Sequence, residues 1–140
     1  AEKLNVKMIV IDSLMKCGVN EDDLNGQKSF ANKLAVAARD LKIHIFLVAH
    51  SRKTADENGS PSKFDVAGSA NITNLADNSL SVHRNKKKEK ALMMGEDPEE
   101  WKMHPDCTVY LNKQRHGNGT ETYWGFYFCT KTFRYMEKPR

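Results

Sequence analysis

Two polar side chains stand where apolar runs stop. Asp12, with Ser13 after it, ends Val6 to Ile11 (VKMIVI), and His50 ends Ile43 to Ala49 (IHIFLVA). A carboxylate fixed at a strand end can hold Mg²⁺ through its water shell beside nucleotide phosphates. An imidazole can donate a hydrogen bond to a terminal phosphate or an attacking water and pass its presence to the following loop. Each residue alone also has an ordinary reading, Asp12 as a cap and His50 as a surface or core histidine. A third feature is Lys113-Gln114-Arg115 at the start of the glycine-rich stretch Gln114 to Thr120 (QRHGNGT). By composition alone its two cations read as a solvated hairpin tip.

The elements that must position these residues follow from patterning. Both apolar runs read as strands buried on both faces of a parallel sheet. Between them, from Gly26 to Leu41, Phe30, Leu34, Ala37, Ala38 and Leu41 recur at helical spacing. Strand, helix and strand at these lengths make a βαβ unit with a right-handed crossover. In such a sheet, ligands bind at the carboxyl ends of the strands, where Asp12 and His50 would be neighbours. Downstream, Ser51 to Ser62 is a polar loop and Asp65 to Ala76 a short helix that starts near Gly68 and Ser69. Strands are expected at Ser79 to His83, Cys107 to Lys113 and the aromatic Glu121 to Thr130, and the final Phe133 to Met136 closes the sheet or its edge. Residues 86–106 read as a charged insertion, helical or mobile, with Lys86, Lys87, Lys88 and Lys90 ahead of Glu96, Asp97, Glu99 and Glu100.

Composition narrows the class. The 140 residues are 39% hydrophobic and 29% charged, enough apolar content to build a core. Three scattered cysteines form neither a zinc pattern nor a disulfide framework, which points to a reducing, cytoplasmic setting. No apolar run reaches the roughly 20 residues of a membrane span, so no membrane partner is expected. The formal net charge of +4 is compatible with nucleic acid without demanding it. A core-grade strand only a few residues in suggests that further chain precedes it.

Four segments in order resemble the DnaB-type replicative helicases, especially the phage and organellar primase-helicases. Met8 to Leu14 (MIVIDSL) is similar to that family's Walker B strand, and Ile45 to Lys53 (IFLVAHSRK) to its strand with a polar sensor and basic residues. Val66 to Asn85 (VAGSANITNLADNSLSVHRN) is similar to its DNA-binding segment, and Lys113-Gln114-Arg115 to its closing cationic pair. The resemblance implies an α/β, RecA-like fold with a mostly parallel sheet and flanking helices, truncated at the N-terminal side, with an antiparallel hairpin at its C-terminal end. It implies ATP or another NTP with Mg²⁺ as cofactors, and unwinding of duplex DNA by a homo-hexamer that translocates on single-stranded DNA, with other replication proteins as possible partners.

Carried over residue by residue, Asp12 and Ser13 would serve the metal and nucleotide, with Arg84 near them. His50 would be the sensor, and Arg115, with Lys113 beside it, the arginine finger reaching a neighbouring subunit's nucleotide. Gly68, Ser69, Asn71 and Asn74 would grip phosphates of single-stranded DNA without reading bases, with Lys16 a further contact from the loop after Asp12. The sequence departs from the family in three ways. It contains no GxxxxGK[ST] phosphate loop, it lacks the strand that brings the family's catalytic glutamate, and its 86–106 insertion is long for the place. The 140 residues alone are therefore expected not to hydrolyse ATP. The competing reading is a non-enzymatic RecA-like module that binds DNA or regulates a helicase.

Overall fold

The computed structural model describes residues 5–20, 22–50, 70–118 and 122–139. Two compact units divide the chain: residues 1–52 with 64–77, and residues 53–63 with 78–140.

The first unit is built on a parallel pair, β1 (Met8–Asp12) and β2 (His44–Val48), in register from Met8 opposite His44 to Asp12 opposite Val48. Helix α1 (Leu24–Asp40) connects them and α2 (Ala70–Leu75) follows. The first turn of α1 is fixed by Asp23, whose Oδ1 accepts a hydrogen bond from the Gly26 N–H at 2.8 Å. A side chain on Gly26 would collide with that carboxylate, its Cβ lying 2.2 Å from Asp23 Oδ2. Leu14, Ala31 and Ile72 form the core, with Phe30, Leu47, Ala49 and Leu75 packed against them.

The strands alternate in exposure. Ile9, Ile11, Ile45 and Leu47 are half-buried, whereas Met8, Val10, Phe46 and Val48 are exposed. Burial on both faces, expected from the continuous apolar runs, is therefore not what these two strands show. The core cluster brings α1 and α2 residues to one face of the pair, and the other carries apolar side chains open to solvent.

The second unit is a four-stranded sheet in the order β3-β4-β5-β6. Its strands are β3 (Asn78–Arg84), β4 (Cys107–Gln114), β5 (Thr122–Cys129) and β6 (Arg134–Met136), each antiparallel to its neighbour. This corrects the expectation of a mostly parallel sheet. Among the described residues, one strand pair is parallel and three are antiparallel. The physical reason lies in the links: a short turn can join β4 to β5 or β5 to β6 only if the strands reverse, because a parallel return needs a long crossover.

Residues 86–106 hold two helices, α3 (Lys86–Met93) and α4 (Pro98–Trp101). Lys88 is buried at 7% exposure, and its Nζ sits 2.8 Å from both the His104 carbonyl and Asp106 Oδ1. Asp106 in turn accepts from the Phe128 N–H, and the Tyr127 hydroxyl donates to the Met103 carbonyl, so the segment is tied to β5. No helix among the described residues is long and apolar enough to cross a membrane.

Candidate functional site at the ends of the parallel strands

Parallel pairing carries Asp12 and His50 to the same edge of the first unit. Asp12 lies opposite Val48, and His50 follows Val48 by two residues, roughly 7 Å further along an extended chain. Both are exposed. The Asp12–Ser13 peptide bond is cis. Ser13 is buried, and its carbonyl accepts the Lys16 N–H at 2.9 Å and the Cys17 thiol at 3.5 Å, closing a single 3-10 turn over Leu14–Cys17. Gly18 ends that turn at φ 72°, a left-handed conformation that favours glycine. Buried Leu14 anchors the turn in the core while Lys16 stays exposed. The chain thus leaves β1 with a carboxylate facing outward and the following loop held from beneath.

Asp12 is an exposed carboxylate at this edge that could hold a hydrated cation. Asp12 supplies a hard carboxylate oxygen, and among the described residues no three His, Cys, Asp or Glu side chains gather into a closed cage. Mg²⁺ usually keeps several waters and takes one or two carboxylates together with substrate phosphates. Asp12 would hold such an ion and His50 would face the phosphate it accompanies.

The remaining sequence-predicted residues fall elsewhere. Gly68 and Ser69 lie outside the described residues, as does the loop from Ser51 to Ser62, and so does the Asn71 side chain. Asn74 is exposed near the end of α2, in the same helix as core residue Ile72. Arg84, Lys113 and Arg115 belong to the second unit, where antiparallel register sends them to opposite ends: Lys113 pairs with Ser79, and Arg84 with Cys107. Five residues of strand, roughly 17 Å, separate Arg84 from Ser79. Arg84 also forms an ion pair with Glu89 of α3; that hydrogen bond, followed by the charge itself, raises the guanidinium's pKa further above its ordinary value. Lys113 is half-buried on β4, whereas Arg115 is exposed in the turn beyond it.

Sequence reasoning took residues 86–106 as a charged insertion, helical or mobile, and missed that Lys88 is a buried tie. The spacing held a signal. Asn85 caps α3 by accepting the Lys88 N–H at 3.0 Å, which makes Lys88 the third residue of a helix rather than part of a coil. Cys107 is buried, and burial, followed by the neighbouring Asp106 charge, pushes its thiol pKa up.

No family model and no curated protein matches the sequence. The fold matches 41 chains of solved structures. One is a solved ATPase domain, with a TM-score of 0.68 and 16% identity, over 93% of this chain. The chain has the fold of an ATPase domain. It spans 44% of that solved chain, less than half its length. Of the expected architecture, this likeness bears out an α/β fold shared with an ATPase domain.

Proposed function

We propose that this chain is the responding half of a nucleotide site in an NTP-driven, DnaB-type replicative DNA helicase. The observation that carries the reading is the in-register parallel pair β1–β2, which presents Asp12 and His50 at one edge within the fold of an ATPase domain. Asp12 holds the hydrated Mg²⁺ that shields the nucleotide's charge; Ser13 and the buried turn behind it fix that carboxylate in place. His50 donates to the terminal phosphate or the attacking water and passes the nucleotide state to the chain that follows it. Gly68, Ser69, Asn71 and Asn74, with Lys16, hold the single-stranded DNA backbone.

Arg115 reaches the nucleotide of the next subunit in a homo-hexameric ring, with Lys113 beside it, and neutralises charge that develops on the transferred phosphoryl group. The ends of β3 and β4 divide the work, because Arg84 stands at the far end of the pair from Lys113 and is already engaged by Glu89. Arg84 therefore serves the nucleotide less directly than the family resemblance implies.

The test is made in the polypeptide that joins this sequence to a phosphate-binding loop. Arg115→Ala lowers DNA-stimulated ATP turnover by about a thousandfold and leaves nucleotide binding by the same subunit intact, as measured by phosphate release and by a fluorescent nucleotide. Unchanged turnover would overturn the assignment and return Arg115 to the role of a solvated turn residue. The lack of a phosphate loop among the 140 residues favours a second reading, a non-enzymatic module that binds DNA or regulates a helicase. A coding sequence with no such loop would select it.

A further inference from the structure

We propose that the β5–β6 hairpin is a stacking surface for single-stranded nucleic acid, with Phe128, Phe133 and Tyr135 as its platform and Lys131, Arg134 and Lys138 as its phosphate contacts. The surface lies on different residues from the Gly68 to Asn74 segment and does not depend on the reading given to that segment.

The rings are placed together by the backbone. Phe128 and Tyr135 are direct partners in the β5–β6 register and lie 5.2 Å apart, centroid to centroid. Phe133, in the turn between the strands, meets Phe128 edge-on at 6.3 Å. Alternation along β5 puts Trp124 on the same face as Phe128, and Trp124 is exposed as well. Tyr135 is 56% exposed and Phe133 80%, so these rings contribute little burial to the fold. Flat, solvent-open aromatic faces are what unpaired bases stack upon, whatever their sequence.

Phe133 adds a second, independent argument. Its φ is 55°, in the left-handed region that a bulky residue enters only at a cost. The Phe133 N–H closes the turn on the Cys129 carbonyl at 2.8 Å, a bond that any residue other than proline could make. Hairpin turns favour glycine or asparagine at such a position. A phenylalanine held there, with most of its ring in water, costs stability and gains almost no packing. Strain of this kind points toward function.

Charge selects the partner. Across Cys129 to Arg140 the sequence has Lys131, Arg134, Lys138 and Arg140 against a single Glu137. Lys131, Arg134 and Lys138 enter no ion pair among the described residues. β6 is the outer strand of the sheet; it carries Arg134, with Lys131 in the turn before it and Lys138 just after it, so a polyanionic backbone could run along this edge beside the rings.

The measurement is fluorescence anisotropy on the full chain with a labelled oligo-thymidine strand, an abasic strand of equal length and heparin. Phe133→Gly should weaken oligo-thymidine binding by about tenfold, leave heparin binding unchanged and hold or raise Tm, because glycine relieves the backbone. Lys131→Ala with Arg134→Ala should flatten the salt dependence of binding. Full affinity in Phe133→Gly would overturn the proposal. So would equal affinity for the abasic strand, which would leave charge attraction alone. A lowered Tm with unchanged binding would make Phe133 a packing residue, again against the proposal. Asn74→Ala serves as the separating control: loss there with no loss in Phe133→Gly removes the hairpin surface and leaves the proposed DNA segment standing.

Discussion

Lys86, Lys87, Lys88 and Lys90 are chemically identical and physically unlike one another. Lys87 and Lys90 are exposed, Lys87 with its ammonium 5.9 Å from the Trp101 ring, whereas Lys88 has a buried ammonium against Asp106, the His104 carbonyl and the face of Tyr127. A charge removed from water survives only with partners that replace its hydration. Lys88→Met keeps the stem and removes the charge, leaving Asp106 and a backbone carbonyl short of a donor. It should cost roughly 3 kcal/mol and lower Tm by about 10 °C, followed by circular dichroism. Lys90→Met should change stability by no more than about 0.5 kcal/mol. Equal effects in the two variants would show that the Lys88 tie carries no stability. That Asp12 and His50 fall at neighbouring strand ends was legible because apolar run length marks where each strand stops. The Lys88 tie was not, since its partner lies 18 residues away and one sequence contains no record of that pairing.

At the scale of elements, α1 shows both what patterning reads and what it misses. Apolar spacing placed the helix at Gly26 to Leu41, and it runs from Leu24 to Asp40. Apolar spacing does not show how the helix starts: Asp23 is the cap, and Gly26 leaves the room that the cap needs. An aspartate three residues before a glycine holds that meaning once the helix start is known. Asp23→Ala should remove about 1 kcal/mol from the first unit, and Asp23→Asn should retain most of it, both read from urea midpoints. Equal loss in the two would point to charge rather than the hydrogen bond. Strand direction was less legible than strand position. β3, β4, β5 and β6 all lie within a residue or two of their expected places, but the same apolar pattern serves a strand of either polarity, and only the connections decide which way it runs.

For the molecule as a whole, the exposed face of the β1–β2 pair sets an expectation that composition alone does not. Met8, Val10, Phe46 and Val48 share that face, with Val10 62% exposed, and continuous apolar runs give no account of what layer, if any, covers them. Contiguous apolar surface of this kind binds dyes and other proteins. The chain should therefore enhance anilinonaphthalene sulfonate fluorescence while native and sediment faster as concentration rises. Val10→Thr with Val48→Thr should suppress both effects without changing the far-ultraviolet spectrum, because threonine keeps the β-branched shape suited to a strand. An absence of dye enhancement in the unsubstituted chain would mean that the face is covered in solution. The outcome bears on the candidate site as well. Val10 precedes Asp12 by two residues on the same face of β1, so whatever covers Val10 also borders the carboxylate and sets how far water and a hydrated cation can approach it.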